Sequence, residues 1–144
     1  MVTKEYQVKV RRAIEETMVK GNVDAMEQIS DPNVVVYAYP FPEIKGVQGL
    51  KQSFLNLRKG FSDVKIDIKE MISEGDTTAT RYTFRMKHTG TFPDIPVPPT
   101  GKEIVLNACV VTHVKNGKDV EVFQYVDYLG ILQQLGVAPP MGQK

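Results

Sequence analysis

The sequence predicts an α+β fold, in which helices come first and a curved, mostly antiparallel sheet follows. Two observations predict it. Apart from one short strand-like segment at residues 34–39, apolar residues recur at helical spacing as far as Phe61, whereas from Val64 onward they alternate with polar residues, as they do in strands. Two glycine turns, Gly75-Asp76 and Asn116-Gly117, then separate the alternating stretches. We therefore expect three N-terminal helices against one sheet face, and a sheet that wraps around them as a cone-shaped barrel with an internal pocket.

Three segments have the periodicity and the end signals of helices. The first begins after Thr3, a good N-cap, and ends at Gly21. The second begins after Asn22 and stops before Asp31-Pro32, because a residue that precedes proline avoids helical backbone. The third covers residues 47–61 and carries its apolar side chains on one face.

Five segments have the β-branched, aromatic or alternating character of strands. They are residues 34–39, 64–72, 78–88, 104–114 and 120–128. The fourth segment is apolar on both faces, so both faces of the sheet must be covered. Helices cover one face, and a second subunit is the simplest cover for the other. The sequence therefore predicts a homodimer that forms through the sheet.

The composition is that of an ordinary globular protein, and we expect one domain that spans residues 1–144. Lysine and arginine (18) nearly balance aspartate and glutamate (17), so a nucleic-acid partner is not expected. We expect no membrane span and no secretory signal, and the single cysteine fits a reducing cytoplasm. Two isolated histidines have no metal-ligand spacing, and no nucleotide-binding glycine motif occurs, so we expect neither a metal nor a cofactor.

Asp127 is the residue that most needs an explanation. By the two-residue period it shares a strand face with Phe123 and Tyr125, which would place its carboxylate in an aromatic wall. A carboxylate removed from water must be paired, protonated or used, because burying it bare costs several kcal/mol. Such a group suits taking a proton from carbon beside a carbonyl. The alternative is an unremarkable aspartate at a solvated strand end.

His88 is the second candidate, because it follows Phe84 and Met86 on one strand face and would point into the same cavity. Its ring could polarise a substrate carbonyl or orient Asp127, or it could be a satisfied core histidine. Tyrosines near the pocket could donate hydrogen bonds, although packing also explains tyrosine in strands. The residues expected to bind substrate are Tyr37, Phe84, Met86, Phe123 and Tyr125.

Several stretches of the chain together resemble one family. They are residues 75–84, His-Thr-Gly-Thr-Phe at 88–92, Pro-Pro-Thr-Gly-Lys at 98–102, and Asp-Tyr-Leu-Gly-Ile-Leu-Gln-Gln-Leu-Gly at 127–136. This series is similar to the SnoaL-like polyketide cyclases. The resemblance implies the α+β cone shared with nuclear transport factor and ketosteroid isomerase relatives, usually dimeric through the sheet. It also implies cofactor-free chemistry in a hydrophobic cavity, with Asp127 as the acid/base of an intramolecular aldol ring closure.

The sequence supports two hypotheses about function. In the first, the chain is a cofactor-independent enzyme that moves a proton at carbon in a small apolar carbonyl compound, by aldol cyclisation or isomerisation. Asp127 would be the acid/base, and His88 would polarise or orient. In the second, the chain is a non-catalytic dimer that holds a small apolar ligand in its cone. The pairing of Asp127 with His88 favours the enzyme, whereas the absence of tryptophan favours the binding protein.

Overall fold

The computed structural model describes residues 1–93, 95, 97–139 and 141–142. The helices are α1 (Lys4–Met18), a 3-10 helix (Val23–Gln28), α2 (Gly46–Gly60) and α3 (Tyr128–Gln134). The strands are β1 (Ser30–Tyr39), β2 (Ile44–Lys45), β3 (Phe61–Glu74), β4 (Thr77–His88), β5 (Glu103–Lys115) and β6 (Lys118–Val126). No helix in the described part of the chain has the length and apolar character needed to cross a bilayer.

The strands of the described residues form one open sheet in the order β2-β1-β6-β5-β4-β3. Strand β1 pairs in parallel with β6, and the other neighbouring strands pair antiparallel. The predicted α+β class with a mostly antiparallel sheet and N-terminal helices is therefore confirmed. The sheet does not close into a complete barrel, because β2 and β3 remain as its two edges.

Helix α1 forms where the sequence predicts it. The hydroxyl of Thr3 accepts a hydrogen bond from the Tyr6 backbone N–H at 3.1 Å, which satisfies one of the free donors of the first turn. The stripe formed by Tyr6, Val10, Ala13 and Thr17 is buried. Residues three and four apart share one helix face, so this stripe packs against the rest of the core.

The second predicted helix is present, but it ends earlier than expected and has 3-10 geometry. The segment is a 3-10 helix of six residues, and Asn22 makes no side-chain capping bond to it. Strand β1 already begins at Ser30 and pairs with β6. Such short segments are commonly 3-10 in geometry, because one or two turns cannot form a continuous α-helical ladder.

Two buried clusters join the helices to the inner face of the sheet. The first includes Val10 of α1, Leu50 of α2 and Val122 of β6. The second lies around Met86 and Ile104 and includes α3. The loop after β4 also contributes to the second cluster, through Ile95, Phe92 and Val97, while residues 94 and 96 of that loop lie outside the described residues.

Candidate active site

A cavity of about 160 Å³ lies between the helices and the inner face of the sheet. Apolar side chains form most of its wall, among them Val10 and Ile14 of α1, Phe54 of α2 and Leu106 of β5. An apolar cavity of roughly 150 Å³ in a protein holds one benzene molecule, so this cavity has room for about one six-membered ring. The polar residues on its wall are Tyr6, Thr78, Thr80, Tyr82, Thr112, Asp119 and Gln124.

Asp119 supplies a buried carboxylic acid to this cavity. The residue is 6% exposed, and its carboxyl accepts a hydrogen bond from the hydroxyl of Tyr6, which extends from α1. Burial raises the pKa of Asp119 to about 7, against the opposing effects of the Tyr6 hydrogen bond and the Lys118 charge. The group therefore exchanges its proton near neutral pH, where it can both take and return one.

Two phenols accompany the acid on the cavity wall. Burial raises the pKa of Tyr6 above its ordinary value, and the neighbouring Asp119 raises it further. Burial likewise raises the pKa of Tyr82. Both hydroxyls therefore keep their protons at neutral pH and serve as hydrogen-bond donors inside the cavity.

A β-bulge turns Asp119 into the cavity. Along the β5–β6 ladder His113 pairs with Glu121, but Val114 pairs with Asp119, so that Val120 is the extra residue. Strict alternation would put Asp119 on the same face as Glu121, and the bulge reverses that direction. Sequence reasoning missed Asp119 for this reason. The sequence shows only that Asp119 and Val120 follow shortly after the Asn116-Gly117 turn, and this pattern does not identify a bulge.

The hydrogen bond from Tyr6 is expected to control the pKa of Asp119. Tyr6→Phe removes a donor that favours the ionised carboxylate while the ring stays in place, so the pKa of Asp119 should rise above its wild-type value. A carbon-13 NMR titration of the Asp119 carboxyl measures the change. Tyr82→Phe is the matched control and should leave the pKa of Asp119 unchanged. A fall in the pKa of Asp119 after Tyr6→Phe would show that the Tyr6 hydroxyl does not stabilise the ionised carboxylate.

The expectation that Asp127 belongs to a buried aromatic wall is wrong about burial. Asp127 does follow Phe123 and Tyr125 on one face, but this is the outer face of the sheet, and Tyr125 is 53% exposed. The inner face of β6 carries Val122, Gln124 and Val126 instead, and these residues line the cavity. Asp127 is exposed and borders an outer groove. Its catalytic role stays a prediction.

In the structure Asp127 is the N-cap of α3. Its Oδ1 accepts a hydrogen bond from the backbone N–H of Gly130 at 2.9 Å, and its own N–H donates to the Asn107 carbonyl at 3.0 Å. A Cβ atom at position 130 would lie 2.2 Å from Asp127 Oδ2, so glycine leaves the room that this cap needs. The carboxylate thus has a structural partner at the start of α3.

Removal of this cap should destabilise the protein. Asp127→Ala is expected to lower the free energy of unfolding by about 1 kcal/mol, the usual effect of losing an N-cap. Asp127→Asn should retain most of the stability, because its amide oxygen can still accept from Gly130. Urea unfolding monitored by circular dichroism compares the variants. An equal loss in both would indicate that the charge, and not the cap, stabilises α3.

His88 is fully buried, but it does not line the cavity. Its ring packs against Phe61 of the second cluster, with 5.3 Å between the ring centroids. The backbone N–H of Thr100 donates to His88 Nδ1 at 3.1 Å, so the proton of a neutral ring is on Nε2. The expectation that His88 points into the same cavity as Phe84 is therefore wrong, since its ring fastens the start of the 100–102 segment instead. A catalytic role for it stays a prediction.

The five residues expected to bind substrate separate into three surroundings. Phe84 lines the cavity, and Met86 is buried in the second cluster. The other three lie on the outer sheet face, where Tyr37 stacks on Phe123 with 5.0 Å between ring centroids and Tyr125 lies against Tyr39. The alternation predicted which residues share a face, but it did not show which face is inside. Association of two copies through the outer face stays a prediction.

An α+β cone with helices on its inner face and a cavity between the two layers is the class of protein that the fold and the site define. The family model described as SnoaL-like polyketide cyclase matches residues 8–135. The chain belongs to the SnoaL-like polyketide cyclase family. Among curated proteins, no sequence matches this chain.

Solved structures show the same fold. A proposed SnoaL-like polyketide cyclase from Jannaschia sp. CCS1 is 19% identical, over 95% of this chain and 94% of that chain, with a TM-score of 0.83. TsrD from Streptomyces laurentii is 17% identical, over 96% and 100%, with a TM-score of 0.84. A Catenulispora acidiphila DSM 44928 protein with a ketosteroid isomerase-like fold, in complex with trimethylamine, is 11% identical, over 90% and 93%, with a TM-score of 0.73. At these identities the likeness concerns the fold alone.

Proposed function

We propose that this protein is an enzyme that moves a proton at a carbon atom beside the carbonyl of a small apolar ligand. Family membership agrees with chemistry of the cyclase or isomerase type. The observation that carries the proposal is a carboxylic acid, Asp119, buried in a largely apolar cavity with room for about one ring. Polar groups within an otherwise apolar cavity are the usual arrangement of a small-molecule site.

In this mechanism the Asp119 carboxylate takes a proton from the carbon beside the carbonyl, and the electrons of the broken C–H bond form an enolate. For an isomerisation, the protonated acid returns the proton to a different carbon of the ligand. For an aldol closure, the enolate carbon attacks a second carbonyl of the same molecule, and the acid gives the proton to the alkoxide that forms. Both reactions return Asp119 to the ionised carboxylate with which they begin, and neither consumes another reactant.

The surroundings of Asp119 favour this chemistry. The hydroxyl of Tyr6 fixes the orientation of the carboxyl through its hydrogen bond. Apolar side chains of α1, α2 and the sheet exclude most of the water, which strengthens every hydrogen bond to developing charge. The hydroxyl of Tyr82 is a further donor on the same wall.

The test uses a substrate of one ring, a β,γ-unsaturated cyclohexenone, whose conversion into the conjugated α,β-isomer is followed by ultraviolet absorbance. The conversion requires removal of a proton beside the carbonyl and its return at the far end of the double bond. We expect the protein to accelerate it above the rate in buffer, and toluene to inhibit by filling the cavity. Absence of any acceleration, with the ring bound, would contradict the proposed activity.

Ligand binding without turnover is the second candidate function. It is favoured by the engagement of both sequence-predicted catalytic residues in structural hydrogen bonds, Asp127 with Gly130 and His88 with Thr100. This function predicts that cyclohexanone binds in the cavity and that the cyclohexenone is not converted. A calorimetric titration and the absorbance assay together distinguish the two functions.

A further inference from the structure

Gln124 carries the carboxamide on the cavity wall. It lies on the inner face of β6, between Val122 and Val126, and like them it lines the cavity. Among the described residues, none forms a hydrogen bond with its carboxamide. A carboxamide has two N–H donors and one acceptor oxygen, so this half-buried side chain has donors free for a molecule in the cavity.

The neighbours of Gln124 on the sheet cannot provide that partner. Its register partner on β1 is Ala38, and its register partner on β5 is Val110. Both side chains are apolar, and neither can donate or accept a hydrogen bond. Neither register neighbour competes for the carboxamide, which faces the cavity unpaired, whereas the Asp119 carboxyl is already bonded to Tyr6.

We propose that Gln124 is the specificity-determining residue of this site, and that its carboxamide donates a hydrogen bond to the carbonyl oxygen of a ligand with one apolar ring. This inference rests on the proposed function, because it names the ligand that Asp119 would act on. A pocket that hydrogen-bonds a substrate oxygen rejects the analogue without that oxygen, since the buried donor would then be unpaired. An apolar ring without a carbonyl is thus the molecule that Gln124 discriminates against.

The register of the sheet sets the size of the ligand. Gln124 lies opposite Val110 and Asp119 lies opposite Val114, four positions further along β5. At about 3.3 Å per residue this separation is about 13 Å between backbones, and the reach of the two side chains shortens it. The cavity that both residues line, about 160 Å³, has room for about one ring. The carbonyl would lie toward Gln124, and the edge of the ring that runs from the α-carbon to the γ-carbon would face Asp119.

The experiment compares two rings of nearly equal shape, cyclohexanone and methylenecyclohexane, which differ by an oxygen in place of a CH₂ group. Their affinities are measured by NMR titration of the folded protein. Gln124→Met keeps the length of the side chain and removes its donors. We expect the variant to bind cyclohexanone about tenfold more weakly, the usual effect of one hydrogen bond, and to bind methylenecyclohexane more tightly than the wild type, because the donor that this ring leaves unpaired is gone. Gln52→Leu, an exposed glutamine on α2 that does not line the cavity, is the control and should change neither affinity.

The outcomes separate this inference from the proposed function. Suppose that the wild type binds both rings, and that Gln124→Met lowers the two affinities equally or changes neither. The proposed role of Gln124 is then overturned, while catalysis by Asp119 stands. If the wild type binds both rings but converts no cyclohexenone, the proposed function fails, and a selective effect of Gln124→Met would still support the inference. If the wild type binds neither ring, both proposals fail. Gln124→Leu replaces the methionine variant if that variant does not fold.

Discussion

Asp119→Asn is expected to slow the isomerisation of the β,γ-unsaturated cyclohexenone by roughly 10²- to 10⁴-fold, the usual contribution of a positioned acid/base. The substitution keeps the shape of the side chain, and its amide oxygen can still accept the hydrogen bond from Tyr6. The variant should therefore fold and bind cyclohexanone with nearly wild-type affinity. Loss of turnover with retained binding would assign the proton transfer to Asp119.

Asp127→Asn is the matched control for this experiment. It makes the same chemical change on the opposite face of the sheet, where Asp127 is exposed and caps α3. We expect this variant to keep most of the wild-type rate. The reverse result, in which Asp127→Asn abolishes turnover and Asp119→Asn does not, would reject Asp119 as the acid/base. It would instead support the catalytic Asp127 that the family resemblance implies.

The stability of the protein is expected to fall as the pH rises from about 4 to about 7, because of Asp119. In the unfolded chain this carboxyl loses its proton near its ordinary pKa of 3.8, whereas in the folded protein burial raises the pKa to about 7. Between these values the folded state holds one more proton, so raising the pH favours unfolding. The difference of about three pKa units corresponds to about 4 kcal/mol, present below pH 4 and lost above pH 7.

Urea unfolding at a series of pH values measures this effect as a difference between wild type and Asp119→Asn. The free energy of unfolding of the variant, compared with that of the wild type, should rise with pH across this interval and level off above it. Asp127→Asn should keep the pH dependence that Asp119 causes, because the substitution lies on the outer face of the sheet and leaves the cavity unchanged. Parallel curves for wild type and Asp119→Asn would mean that Asp119 is not desolvated in the folded protein.

The sequence predicts those helices and strands in which one face is buried and the other is exposed to water. The stripe on α1 and the alternation along β4 follow from one wet and one buried face, so their periods are visible in the chain. The 3-10 geometry of the second helix could not be predicted, because its few apolar residues fit either helical geometry. The helical form of α3 was not anticipated, since its short apolar run before Gly136 shows too few turns to establish a period.

The site was harder to predict, for two physical reasons. Strand β6 is apolar or aromatic on both faces, with Val122 and Val126 inside and Phe123 and Tyr125 outside, so its pattern could not show which face the cavity touches. The bulge at Val120 then reverses the direction of Asp119, and bulges have no reliable sequence signature. A correct period therefore selected the wrong aspartate for the cavity.

The place of β6 in the sheet also has a consequence for biosynthesis. Strand β1 has β2 and β6 as its neighbours, and β2 is only two residues long. On the ribosome, β1 and the residues of α2 that pack against it must therefore wait for their β6 neighbour until Val126 has left the exit tunnel. The order of translation thus delays the closing of the cavity until almost the whole chain has been synthesised. During that interval the apolar inner face of the sheet is exposed and prone to aggregate.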